Sequence, residues 1–216
     1  MAKPYRLIVF DWEGTLGDTL GLIVNIVSSV ATEQGLPPPS EEKAMKYASY
    51  GLQTAIRKLY PEISTELYQQ LMQAVQLALA KPQEDVYLYP GAEPLISSLH
   101  DKGYELAVAT NKSERSLNKA LCLSKLKPYF SITRSAGQCA PKPHPEMLQE
   151  ILDWTGQDAN AALFIGDSSN DIDMANALGI DFVGVDFYHQ EKEALLSKGA
   201  LAVYDNYKDV ETFILS

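Results

Sequence analysis

The run Tyr5-Arg6-Leu7-Ile8-Val9-Phe10 empties directly into Asp11-Trp12-Glu13-Gly14-Thr15-Leu16, and no other feature constrains the fold as tightly. A short apolar run that ends at a glycine turn predicts a buried strand. Side chains alternate along a strand, so Asp11 and Glu13 project to one side and Trp12 to the other. Gly14 then lets the chain turn away sharply. Acids at the carboxyl end of a buried strand stand where an open α/β sheet places its ligand site. There they can bind a metal, attack a substrate or shuttle a proton. The same residues also suit a helix start, with Asp11 as its cap.

From Asp18 to about Lys81 the spacing predicts helix after helix. Leu22, Ile23, Ile26, Val27 and Val30 recur at helical intervals, as do Leu67, Leu71, Val75 and Leu79. Pro37-Pro38-Pro39-Ser40 ends the first helix, Ser40-Glu41-Glu42-Lys43 starts the next, and Pro61 and Pro82 mark later joints. From Tyr89-Pro90-Gly91 onward the texture changes. Short apolar strands are expected at 105–109, 162–165, 182–185 and 201–203, with helices at 93–102, 113–121, 145–155 and 169–178. Strands separated by helices make a parallel sheet. The fold class is therefore α/β: a doubly wound, Rossmann-like core of residues 1–17 and 87–216, with an all-helical cap of residues 18–86 inserted after the first strand. Departing from the strand's carboxyl end, such a cap is expected to sit over the ligand site as a lid that excludes water and selects the substrate.

Composition narrows the partners. At 216 residues the chain can bury a proper core, and with 46% hydrophobic and 21% charged residues it is globular rather than disordered. Its formal charge of −10 repels nucleic-acid phosphates. An anionic substrate would need a local positive charge, for which a divalent metal is the obvious source. The apolar run from Leu20 to Ala31 carries Asn25, Ser28 and Ser29 and is too short to span a bilayer. No secretion signal is expected, and Cys122 and Cys139 have no redox or zinc spacing, so a reducing cytoplasm fits. The oligomeric state is not legible.

Three further segments bear chemistry. In Ala109-Thr110-Asn111-Lys112-Ser113 a hydroxyl and an amide close a strand and a helix begins, which suits either phosphoryl binding or simple capping by Thr110 or Ser113. In Ala140-Pro141-Lys142-Pro143-His144-Pro145 the lysine is presented by a stiff loop, as a site cation or as a solvated surface group. In Phe164-Ile165-Gly166-Asp167-Ser168-Ser169-Asn170-Asp171-Ile172-Asp173 clustered carboxylates follow a strand and suit a hard cation such as magnesium. A helix cap with an acidic first turn would explain one or two of these aspartates, but not all.

Taken in order, Asp11-Trp12-Glu13-Gly14-Thr15, Thr110-Asn111, Lys142 and Gly166-Asp167 with Asp171 resemble the haloacid dehalogenase-like phosphohydrolases. The resemblance spans nearly the whole chain and is nearest the branch with a helical cap after the first strand. The segments 107–113 and 141–148 look especially like phosphoglycolate phosphatases. The resemblance implies that Asp11 is a nucleophile that forms an aspartyl-phosphate, later hydrolysed by water. It implies Mg2+ bound by Asp11, the backbone carbonyl of Glu13 and Asp167, with Asp171 as a ligand or supporting partner. It also implies that Thr110 and Asn111 hold the phosphoryl group of a small phosphorylated metabolite while Lys142 offsets charge in the transition state.

One position departs from the family, whose acid two residues after the nucleophile is aspartate; here it is Glu13. The proton chemistry survives, but the carboxyl moves by about a bond length, and misplacement of roughly 1 Å can cost about 10²-fold in rate. Slowed turnover is therefore expected. A phosphomutase or a carbon–phosphorus hydrolase of the same superfamily would share these motifs, although Lys43, Lys46 and Lys58 lack a distinctive setting for the latter. A chain that binds phospholigands without turnover is the alternative from outside enzymology. Substrate selection is expected from the cap, where the Gly51 turn or Arg57 could meet a substrate carboxylate, although Arg57 also suits a solvated helix face.

Overall fold

Leu7–Phe10 form β1, and all four side chains are fully buried. The structure, a computed structural model, describes residues 5–40, 43–44, 47, 52–81 and 86–216. Among these, β1 joins β2 (Glu105–Ser113), β3 (Ile132–Ala136), β4 (Ala162–Gly166), β5 (Asp181–Val185) and β6 (Ala202–Tyr204) in one sheet of order β3-β2-β1-β4-β5-β6. Every pairing is parallel, with Phe10 beside Val108 on one side and Ile165 on the other. The chain winds outward from β1 through β2 to β3, then returns to place β4 on the other flank of β1. The loops after β1 and β4 therefore leave in opposite directions, and the crevice between them is the switch point where such sheets bind ligands.

Among the described residues, six α-helices complete this unit: α4 (Ala92–Asp101), α5 (Glu114–Leu123), α6 (Glu146–Thr155), α7 (Ser169–Asn176), α8 (Lys192–Ser197) and α9 (Tyr207–Leu215). Leu7 and Val9 share one buried cluster with Phe164 and Phe182 of the sheet and with Met147, Ile151, Ile172 and Leu195 of the helices. Ile8 and Phe10, of opposite parity, are equally buried. A strand apolar on both faces is what a sheet covered by helices on both sides demands.

Among the described residues, the helices given bounds in the helical unit are α1 (Thr19–Glu33), α2 (Leu52–Leu59) and α3 (Thr65–Ala80). Asp18 caps α1 by accepting the Gly21 N–H at 2.8 Å, and Ser64 caps α3 by accepting the Leu67 N–H at 3.2 Å. Val27, Val30, Ile56, Leu71 and Val75 form its core. The chain divides by contacts into Met1–Gly17 with Leu88–Ser216, and Asp18–Tyr87. The helix start expected at Ser40–Lys43 falls partly on Glu41 and Glu42, outside the described residues. Among the described residues, no helix is long and apolar enough to cross a membrane.

The structure corrects the expected elements in three places. β2 does not stop at residue 109 but continues to Ser113, because a register shift between Thr110 and Ser113 lets Ser113 pair with Ala136. β3 was not expected: Thr133, Arg134 and Ser135 break its apolar pattern, as an edge strand tolerates. The helices α8 and α9 were also not anticipated; α8 has only six residues and little periodicity to read.

Candidate active site

Asp11 follows β1, and its N–H donates to the Ile165 carbonyl at 2.9 Å, so the residue is still tied to β4. The turn beyond it closes on the Trp12 carbonyl, which accepts the N–H groups of Leu16 (2.9 Å) and Gly17 (2.7 Å). Gly14 takes φ +76°, and a Cβ there would lie 2.1 Å from Asp167 Oδ2. Only glycine fits, on both backbone and steric grounds. The turn is thereby pressed against the acid that follows β4.

At that strand end, Ser168 caps α7 and exchanges hydrogen bonds with Asp171. The Asp171 Oδ2 accepts the Ser168 N–H at 3.0 Å and its hydroxyl at 2.6 Å, while the Ser168 Oγ accepts the Asp171 N–H at 3.4 Å. This reciprocal box needs an acid three residues after the serine. The other Asp171 oxygen accepts the Lys142 ammonium at 2.6 Å. Both Asp171 oxygens are thus engaged, on a side chain that is fully buried. Asp167 by contrast accepts the Thr15 hydroxyl at 3.2 Å.

Lys142 is not the solvated surface group its loop permitted; it is buried. Its Nζ stands 2.7 Å from Asp11 Oδ1 as well as against Asp171, and 5.2 Å from the centre of the Phe164 ring. The loop is anchored by Asn111, whose Oδ1 accepts the Lys142 N–H at 2.8 Å. Thr110 is buried, and its hydroxyl accepts the Lys112 N–H at 3.3 Å. The structure thus gathers Asp11, Asp167, Asp171, Lys142, Thr110 and Asn111 at the carboxyl ends of β1, β2 and β4. Glu13 turns instead to Lys112, with which it forms an ion pair. Gly51 lies outside the described residues. Arg57 is on α2, its guanidinium 4.2 Å above the Tyr68 ring. Thr15, Ser168 and Lys112 were missed as site residues; only Ser168, through its Ser-x-x-Asp spacing, carried a signal that could have found it.

Three carboxylates share one ammonium, and the imbalance shows in the proton affinities of Asp167 and Asp11. Burial, reinforced by the Asp11 and Asp171 charges, pushes Asp167 up to about 8. Burial pushes Asp11 up to about 6, against the opposing pull of Lys142 and with a further rise from Asp171. Burial also works against the Lys142 charge, but Asp11 and Asp171 outweigh it and hold that pKa above the usual lysine value. Asp11 Oδ1 is paired with the Lys142 ammonium at 2.7 Å. Oxygens of Asp11, Asp167 and Asp171 lie within 4.8 Å of one another. An all-oxygen set and excess buried negative charge together fit a hard divalent cation.

The chain is 29% identical over 225 residues to a phosphoglycolate phosphatase of Haemophilus influenzae, covering 99% of this chain and 100% of that protein. It is 27% identical over 211 residues to a phosphoglycolate phosphatase of Pseudomonas putida, covering 94% and 77% respectively. The crystal structure of a HAD-superfamily hydrolase, subfamily IA, variant 1 from Geobacter sulfurreducens shares the fold, with a TM-score of 0.67, 22% identity and coverage of 98% of this chain and 97% of that one. A family model described as haloacid dehalogenase-like hydrolase matches residues 8–185, from β1 through β5, and the chain belongs to that family.

Proposed function

We propose that this protein is a magnesium-dependent phosphatase that hydrolyses a small phosphate monoester, phosphoglycolate being the first candidate, through a phosphoryl group carried on Asp11. The observation that carries this reading is the buried Asp11 carboxylate, paired with Lys142 at 2.7 Å and gathered with two further acids whose oxygens lie within 4.8 Å. Relatives named phosphoglycolate phosphatase at 27% and 29% identity support the choice of substrate.

Asp11, Asp167 and Asp171, with the Glu13 carbonyl, would hold Mg2+, which when bound supplies the charge that lets an anionic nucleophile approach an anionic substrate. An Asp11 oxygen attacks phosphorus, forming one P–O bond while the bond to the leaving alcohol breaks and its electron pair departs with the alcohol oxygen. Glu13 gives that oxygen a proton and then takes one from the water that hydrolyses the aspartyl-phosphate, releasing phosphate and restoring Asp11. Lys142 offsets charge on nucleophile and phosphate, and Thr110 with Asn111 orients the phosphoryl oxygens. The helical unit acts as the cap, and Gly51 or Arg57 meets the substrate carboxylate. An acidic chain with two free cysteines fits a cytoplasmic setting.

The ion pair of Glu13 with Lys112 favours a second reading, in which the chain binds phosphorylated ligands with little turnover. Phosphate release from small phosphate esters by purified protein, in Mg2+ and in chelator, separates the two. Magnesium-dependent release, fastest on phosphoglycolate, is expected. Ligand binding without release would establish the second reading, and release undiminished in chelator would overturn the metal assignment.

A further inference from the structure

We propose that Tyr207 is a positioning residue: it fixes the Asp11–Gly17 turn against Asp167 and so sets how strongly the three carboxylates hold a divalent cation. The inference rests on the cation site of the proposed function and adds a residue from the far end of the chain.

Asn206 caps α9, its Oδ1 accepting the Asp209 N–H at 3.0 Å, which makes Tyr207 the first residue of that helix. The Tyr207 ring is 3% exposed. Phe187 lies against it with ring centres 5.2 Å apart and itself stacks on Tyr89 at 4.0 Å. On another side the backbone of Gly91 approaches so closely that a Cβ there would be 3.3 Å from Tyr207 Cβ. The ring is held in place, and its hydroxyl donates to the Thr15 carbonyl. Thr15 is fully buried, and its own hydroxyl donates to Asp167 Oδ1 at 3.2 Å. One residue therefore takes a hydrogen bond on its main chain from Tyr207 and passes another from its side chain to the acid. Gly14, on the same turn, packs so near Asp167 that a Cβ there would lie 2.1 Å from Asp167 Oδ2.

Removing the phenol oxygen strands a buried carbonyl and releases the turn. Partners that orient metal ligands typically contribute about 10- to 100-fold in affinity when lost. Tyr207→Phe keeps the ring and loses only the hydroxyl. Calorimetric titration of the full chain with Mg2+ alone should then show roughly tenfold weaker binding. In steady state, kcat on phosphoglycolate should fall while KM stays within about twofold. Thr15→Val, which removes the link to Asp167, should weaken Mg2+ binding similarly. Adding Tyr207→Phe to it should cost less than about twofold more, since the two act through one path.

Val210 is fully buried on the same helix and has no part in the path. Val210→Ala should lower the melting temperature yet leave Mg2+ affinity within about twofold. Parent-like Mg2+ affinity in Tyr207→Phe would overturn the inference, as would fully additive losses in the double variant or an equal loss in Val210→Ala. If Tyr207→Phe does not fold, Thr15→Val with unaltered Mg2+ affinity overturns it alone. A parent chain that binds no Mg2+ would instead overturn the proposed cation site and this inference with it.

Discussion

Replacing Asp167 by asparagine should stabilise the metal-free protein at alkaline pH while weakening its hold on magnesium. Folding pushes Asp167 up to about 8, first through burial and then through the charges of Asp11 and Asp171; in an unfolded chain the same group ionises near 3.9. An acid whose pKa rises on folding binds its proton more tightly when folded. Stability is therefore greatest at low pH and falls as pH climbs through the window from about 4 to about 8. Between about pH 5 and about pH 8 the unfolded carboxyl is already ionised, whereas the folded one holds its proton until the end of the interval. At about 1.4 kcal/mol per pH unit this amounts to a loss of roughly 3–4 kcal/mol. Asparagine, neutral throughout, avoids that loss. Urea unfolding in chelator across this range should show the stability difference between Asp167→Asn and parent growing by that amount as pH rises. Saturating Mg2+ should reverse the ranking, because the parent gains about 4.1 kcal/mol at a thousandfold excess over Kd. If the two proteins lose stability in parallel with pH in chelator, the reading of Asp167 as a strained, charge-crowded metal ligand is wrong.

Asp171→Ala should behave differently, destabilising the fold by about 3–5 kcal/mol even in chelator, because Lys142 and Ser168 both lose a buried partner; urea unfolding of that variant checks it. If Glu13 is functional but too long, Glu13→Asp should raise kcat about tenfold, equivalent to roughly 1.4 kcal/mol of barrier, and Glu13→Gln should lower it. A Glu13→Gln chain as fast as the parent in steady-state phosphate release would remove Glu13 from the proton chemistry. Arg57→Ala should raise KM about tenfold for phosphoglycolate and leave it unchanged for an aryl phosphate, because only the former brings a carboxylate to bind.

The strongest parts of the fold were legible for a simple reason: strands buried on both faces are written as unbroken apolar runs. β1, β4 and β5 are of this kind, as are the cores of the long helices α1 and α3. β3 escaped because Thr133, Arg134 and Ser135 interrupt its apolar pattern, and α8 because six residues make too few turns to show a period. At the site, the carboxylates were found from their places after strands. The residues that hold them were not, since Thr15 and Tyr207 act through contacts between positions far apart in the chain. The Glu13–Lys112 ion pair was equally invisible, although Lys112 directly follows Thr110-Asn111. Lys142 shows the limit of local reading: two prolines gave it a stiff loop, but only the folded sheet brings Asp11 and Asp171 to it and makes its charge a buried one.

The central claim, that Asp11 carries the phosphoryl group, is tested most directly by acid-quenching the enzyme during turnover of excess phosphoglycolate and mapping its peptides by mass. The account predicts one added phosphoryl group on the peptide containing Asp11, labile to hydroxylamine as an acyl phosphate is, and none in Asp11→Asn. Steady phosphate release with no label on that peptide, or parent-like turnover by Asp11→Asn free of deamidated protein, would contradict it.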